Sequence, residues 1–217
     1  MIDLAAARTA MVDCQVRPSD VTRYALIEAM LWAPREQFVP RSSREIAYAE
    51  AEVEIAEGRW LMMPRTFAKM VEAADIGPND LVLDLCPGTG YSTAVISRMA
   101  EAVVAVEPDE ALAKQAETAL EALEVDNAVV TAGDAAAGDP AHGPYDVIFV
   151  NGAVEQVPTA LTDQLKQGGR LVAIVHDGVT GQCRRMIRTG TGVSDRAMFD
   201  ATAHLLDGFS CAKEFMF

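Results

Sequence analysis

Leu81-Val82-Leu83-Asp84-Leu85-Cys86-Pro87-Gly88-Thr89-Gly90-Tyr91 is a short apolar run with an acid near its end, and it passes through two glycines directly into a stretch where Val95, Ile96 and Met99 give a helical apolar face. An apolar run of this length bounded by turn residues reads as a strand covered on both faces. Glycines where a strand turns into a helix let a ligand approach the backbone, and the helix N-terminus offers unpaired N–H groups, so a nucleotide-like ligand fits there. A Gly-x-Gly is common by itself. Its place between strand and helix is what gives it meaning.

Downstream, short apolar runs alternate with amphipathic stretches. Ala102 to Val106, Ala128 to Thr131, Val147 to Val150 and Arg170 to Val175 read as further buried strands, while Leu112, Ala116, Leu120 and Leu123 fall at helical spacing between two of them. Pro158 suits the first turn of another helix, with Leu161 and Leu165 as its apolar face and Gly168-Gly169 as its stop. The alternation predicts a Rossmann-like, doubly wound α/β fold on a mostly parallel sheet. Thr189 to Phe217, with turn glycines Gly190 and Gly192 and a closing Cys-Ala-Lys-Glu-Phe-Met-Phe, reads as an antiparallel edge.

Upstream, residues 1–77 read as a helical extension. Ser19 is the expected N-cap of a helix whose apolar face is Val21, Ala25, Leu26 and Met30, Pro34 and Pro40 punctuate it, and Phe67 to Ala74 resumes a helical rhythm. Ala47 to Met63, with Gly58 as a breaker, shows no regular pattern. The 217 residues, 50% hydrophobic, make one domain, with 1–77 as extension and 78–217 as the ligand-binding core.

A formal net charge of -14 repels polyphosphate over most of the surface, which argues against nucleic acid as a partner. The dense basic cluster Arg184, Arg185 and Arg188 reads as a solvated face. No stretch reaches the length of a membrane span, and Met1 to Ala10 lacks the build of a signal peptide, so a cytoplasmic, non-membrane protein is expected. Cys14, Cys86, Cys183 and Cys211 form no Cys-x-x-Cys pair, and His142, His176 and His204 are isolated; no metal site is expected.

Two more strand ends carry acids. Glu107 closes the second strand, where a carboxylate can accept both hydroxyls of a ribose, and Asp134 follows the third, at the carboxyl edge where open α/β sheets bind ligands. Asp84, Glu107 and Asp134 are therefore expected to converge on one adenosine-shaped hollow. A nicotinamide oxidoreductase shares Gly88, Gly90 and Glu107, but its third glycine is Thr93 here, and Asp84 would repel a pyrophosphate. The same carboxylate suits a cationic amino-acid end, as in S-adenosyl-L-methionine.

Further pieces carry a resemblance: Arg35-Glu36-Gln37-Phe38-Val39-Pro40, Ala47-Tyr48, Gly133-Asp134, Tyr145-Asp146-Val147-Ile148, Val157-Pro158, Gln164-Leu165-Lys166-Gln167-Gly168-Gly169 and the phenylalanine-rich end. With the Asp84 to Tyr91 loop, the chain resembles the protein-L-isoaspartate O-methyltransferase family over nearly its whole length. The resemblance implies a methyltransferase of protein repair that acts on a protein or peptide carboxylate. It implies a cofactor site of Asp84, Cys86, Pro87, Gly88, Gly90, Tyr91, Glu107, Asp134 and Ala135, with Asp84 at the amino-acid end, Glu107 on the ribose and Asp134 at the adenine amino group. One motif departs from the family. Its Gly-x-Thr-x-Ser-Gln-Pro reads Gly58-Arg59-Trp60-Leu61-Met62-Met63-Pro64 here, so the threonine, serine and glutamine positions hold Trp60, Met62 and Met63. Met62 cannot donate a hydrogen bond to an acceptor carboxylate. A remodelled acceptor pocket, or a protein that only binds the cofactor, are the alternatives this departure raises. Cys86 stands where the family has glycine, as a small packing residue or a reactive thiol at a helix N-terminus.

Overall fold

The computed structural model describes residues 3–210. Asp3 caps α1 (Leu4–Met11) by accepting the Ala5 and Ala6 N–H groups. Next comes α2 (Tyr24–Trp32), which starts without a side-chain cap. Ser19 is not that cap: its hydroxyl donates to the Gln15 carbonyl, and the chain turns left-handed at Asp20 before the helix begins. Leu26, Ile27, Ala29 and Met30 are the buried face of α2, and Ala25 is exposed, because the helix starts three residues after Val21 and the phase of the spacing shifts with it.

The stretch without pattern holds a hairpin, β1 (Val53–Ala56) against β2 (Arg59–Leu61), closed by Glu57 and a left-handed Gly58. It forms a two-stranded sheet of its own. Pro64 then opens α3 (Pro64–Ala74), which buries Phe67, Met70 and Val71.

The main sheet follows as β3 (Leu81–Leu85), α4 (Tyr91–Ser97), β4 (Ala102–Glu107), α5 (Glu110–Ala122), β5 (Ala128–Ala132), β6 (Tyr145–Val154), α6 (Thr159–Thr162), β7 (Leu165–His176), β8 (Gly181–Thr189) and β9 (Gly192–Asp200). Its order is β5-β4-β3-β6-β7-β8-β9, parallel through β7 and antiparallel at β8 and β9. The expected fold and its antiparallel edge are both found, although residues 211–217 of the expected edge lie outside the described residues.

Two expectations change. The helix after Pro158 is four residues long, and Leu165, Gly168 and Gly169 belong to β7. A Cβ on Gly169 would stand 2.9 Å from the Tyr145 carbonyl oxygen, so this glycine lets β7 approach β6 where the register shifts, and neither glycine stops a helix. The three arginines lie on β8 and are engaged: Arg184 with Asp195, Arg185 with the Ala73 carbonyl, Arg188 with the Thr162 and Asp163 carbonyls.

Val82, Val103, Ala105, Val147 and Phe149 point to one sheet face and join residues of α1 to α5 in one apolar cluster. Leu83, Leu85, Val104, Val106, Ile148 and Val150 point to the other. That second face has thin cover, from Leu161 of α6, Ala135 and Phe209. The segment before Phe209 crosses the sheet edge, with the Ala153 N–H donating to the His204 carbonyl and the Leu206 N–H to the Ala153 carbonyl.

Candidate active site

The chain leaves the β3-β4-β5 half of the sheet and returns beside β3 as β6, so the crevice outside the carboxyl ends of β3 and β6 is where an open α/β sheet receives a ligand. Leu85 and Val106 pair there, which sets Cys86 and Glu107 side by side.

Asp84 is fully buried. Its Oδ2 accepts the Ser92 and Thr93 hydroxyls, each at 2.7 Å, and Asn151 Nδ2 donates in turn to Ser92 Oγ at 2.7 Å. Its Oδ1 is buried with no partner. Burial pushes the carboxyl up to about 7, against the two hydroxyls that favour the anion and with the help of the Glu107 charge.

Glu107 is also fully buried, yet it is crowded with donors. The Gly88 N–H donates to Oε2 at 2.8 Å and the Asp109 N–H to Oε1 at 3.1 Å. Arg59, from β2, grips both oxygens, Nη1 on Oε1 and Nη2 on Oε2, the latter at 2.7 Å.

Cys86 takes a left-handed backbone with φ of 59°, which explains why glycine is the easier residue there. Burial pushes its thiol up to about 12, with the Glu107, Asp84 and Asp134 charges adding to the rise and Arg59 opposing it. A neutral, 4% exposed thiol is a packing residue, which removes the reactive-cysteine alternative.

Pro87 and Gly88 continue the loop. Gly88 has a φ of +62°, and a Cβ there would stand 2.5 Å from Ile55 Cδ1 of β1, so the hairpin lies directly on this turn. At Gly90, with φ of +96°, a Cβ would meet Ala116 Cβ at 3.0 Å and Cα at 3.1 Å, so glycine lets α4 close on α5. Thr89 ties the loop to the N-terminal layer through its hydroxyl, 2.6 Å from the Phe38 carbonyl. Tyr91 turns its ring into the core between Phe38 and Phe67, under the Arg35 guanidinium, and presents backbone alone to the loop. Asp134 is exposed and accepts the Ala136 N–H at 2.9 Å, while Ala135 is buried beside Cys86 and Val106.

The departing motif lines the mouth of the crevice. Trp60 lies flat on His204, ring centroids 4.1 Å apart and planes 8° apart, and His204 Nδ1 meets Glu52 Oε2 at 2.7 Å. Met62 is 3% exposed, and its carbonyl accepts from Arg35 Nη2 at 2.6 Å. Met63 precedes α3 at its N-cap. On the other side of Arg59, an opening of about 310 Å³ reaches Cys86, Asp109 and Asp207.

An adenosyl amino acid asks for a carboxylate at the ribose, a backbone cradle without side chains and negative charge near its cationic end. Glu107, the bare Gly88 turn and the unpartnered Oδ1 of Asp84 fit those needs. Two features differ from the expected open hollow, because the Arg59 guanidinium already sits on Glu107 and Ile55 Cδ1 lies over Gly88. Arg59, Ile55 and the Ser92-Asn151 pair went unread in the sequence. The alternation Val53-Glu54-Ile55 ahead of Glu57-Gly58 is the local trace of the hairpin, too short to tell it from loop, and nothing local marks the partner of Arg59, 48 positions away.

The profile of the Protein-L-isoaspartate(D-aspartate) O-methyltransferase family matches residues 7–199. The chain is similar to the protein-L-isoaspartate O-methyltransferase of Roseiflexus castenholzii, 36% identical over 199 residues that cover 92% of this chain and 91% of that one. It is 38% identical to that of Gloeobacter violaceus over 87% of this chain and 93% of the other. A solved protein-L-isoaspartate O-methyltransferase superposes with a TM-score of 0.80 at 25% identity, over 93% of this chain and 66% of that longer one. A Plasmodium falciparum chain in complex with S-adenosyl-L-homocysteine shares the fold, with a TM-score of 0.78 at 17% identity over 95% of this chain and 99% of that one.

Proposed function

Because the chain belongs to the protein-L-isoaspartate O-methyltransferase family, we propose that it methylates the free carboxylate of an isoaspartyl residue in a protein or peptide, with S-adenosyl-L-methionine as methyl donor. The observation that carries this reading is the Glu107 carboxylate held against the Gly88 N–H, with the unpartnered Oδ1 of buried Asp84 on the neighbouring strand, at the carboxyl edge of the sheet. In it, Gly88 leaves the turn without a side chain where the cofactor passes, Gly90 lets α4 close behind the turn, and Cys86, Pro87 and the Tyr91 backbone shape it. Glu107 takes the ribose, Asp84 balances the amino-acid end, and Asp134 with the Ala135 backbone borders the adenine. A purely binding role is not favoured.

The bound cofactor supplies an electrophilic methyl group on a sulfonium. An acceptor carboxylate is ionised at neutral pH, so this chain need provide no general base; its work is to align the acceptor and keep water out. Buried Met62, the Trp60-His204 stack and Leu206 make the acceptor side more apolar than the family motif implies. The reading also takes residues 1–77 and 78–217 as one domain, supported by the cluster that joins Met11, Phe38 and Phe67 to Tyr91 and Phe149. It places the protein in the cytoplasm, supported by free Cys14, Cys86 and Cys183; among the described residues no helix is long and apolar enough to cross a membrane.

The test is transfer of labelled methyl to an isoaspartyl peptide, read as base-labile label. Wild type should exceed background, and Met62→Ser should exceed wild type by about one to two powers of ten, the value of a donor regained by a buried carboxylate. No label above background with either protein would remove the isoaspartyl carboxylate as acceptor.

A further inference from the structure

The carboxylate assigned to the ribose is already full. Glu107 receives four donors, Arg59 Nη1 and the Asp109 N–H on Oε1, Arg59 Nη2 and the Gly88 N–H on Oε2. An ionised carboxylate offers about four lone-pair sites, so two ribose hydroxyls have nowhere to bind while the guanidinium stays. The two backbone donors are fixed by the loop. Arg59 is the one that can leave.

The move asks only that side chain to swing, because the hairpin itself is anchored, with Val53, Ile55 and Leu61 buried in the core cluster and Trp60 stacked on His204. β1 and β2 pair with each other and not with the main sheet. At the tip, a Cβ on left-handed Gly58 would meet nothing within 4 Å, so the turn stands in open space. The hairpin also touches the cradle through Ile55 Cδ1, the far end of a flexible side chain, over Gly88. The 310 Å³ opening beside Arg59 is bordered by Glu57, Asp109 and Asp207, carboxylates that can receive a displaced guanidinium.

We propose that Arg59 is an internal competitor of the cofactor: the β1-β2 hairpin latches the site by holding Glu107, and binding exchanges its guanidinium for the two ribose hydroxyls. This rests on the reading of the chain as a user of S-adenosyl-L-methionine. A bidentate pair between a buried carboxylate and a side chain 16% exposed is a strong restraint, because its geometry is a matched fork and little water screens it. The latch therefore sets affinity, and it acts before any acceptor arrives.

The experiment is calorimetric titration of the whole protein with S-adenosyl-L-homocysteine, for wild type, Arg59→Gln and Arg59→Lys, together with thermal unfolding with and without that ligand. Arg59→Gln should bind about tenfold to a hundredfold more tightly than wild type, the range spanned by one charge-assisted pair. Arg59→Lys, which keeps the charge but not the fork, should fall between. Without ligand, both variants should melt below wild type, since Glu107 loses its partner; with saturating ligand their rise in Tm should exceed that of wild type. If Arg59→Gln does not fold, Arg59→Lys decides by the same comparison. Wild type that binds while the variants bind equally or less well overturns the latch and leaves the cofactor assignment standing. Absence of binding to wild type and variants alike takes down the cofactor assignment, and the latch with it.

Discussion

Asp84→Asn isolates the charge state of the group beneath the Cys86 to Gly90 turn. Burial pushes the Asp84 carboxyl up to about 7 from an ordinary 3.8. Between those values the folded chain keeps a proton that the unfolded chain has released. Stability therefore falls as pH rises through the window, by about 1.4 kcal/mol per pH unit for this one group. Across the whole window the loss is on the order of 4 kcal/mol, complete above pH ~8 and absent below pH ~3. Asparagine removes the dependence while keeping the shape: its carbonyl can accept the Ser92 and Thr93 hydroxyls, and its amide occupies the place of the unpartnered Oδ1. Urea unfolding of both proteins at intervals from pH 5 to pH 8 measures the effect, and subtraction cancels every other titration. The stability of the variant relative to wild type should climb by about 2 kcal/mol between pH 5 and pH 7 and level above pH ~8. A difference that stays constant over that range would mean that Asp84 ionises like an exposed carboxylate, and the account of its burial would be wrong.

Two further substitutions probe what holds the turn. Gly90→Ala puts a methyl against the Ala116 backbone at a φ of +96°, so strain and a displaced α4 add up to a loss of about 2–4 kcal/mol, read as a lower urea midpoint. Arg35→Lys removes the fork by which a fully buried guanidinium donates to the Ala47 carbonyl at 2.7 Å and the Met62 carbonyl at 2.6 Å; stability should drop by about 2–3 kcal/mol, and amide exchange should quicken around Met62.

The parallel strands are easy to read from sequence because burial on both faces makes each of them a nearly unbroken apolar run; the expected Leu81 to Leu85 is β3 to the residue. The acids at their tips are legible for the same reason, since a carboxylate ending such a run has few places to go other than the sheet edge. The errors arise where local pattern is ambiguous. Leu161 and Leu165 are four apart and precede two glycines, which imitates a helix and its stop, yet pairing of Leu165 with Tyr145 outweighs the imitation. Strands of four and three residues around Glu57-Gly58 are too short for alternation to separate from loop. Arg59 was invisible as a site residue because its meaning comes from Glu107, a contact made by the fold and not by any neighbour in the chain.

The turn from Cys86 to Gly90 is also braced from outside the sheet. Thr89 hangs from the Phe38 carbonyl, Ile55 rests on Gly88, and Arg59 reaches Glu107. The parts that look like an accessory layer are thus scaffolding for the very loop they cover. The core cannot be cut out and used as a portable module, and inheritance of this site requires that both halves of the chain travel and change together.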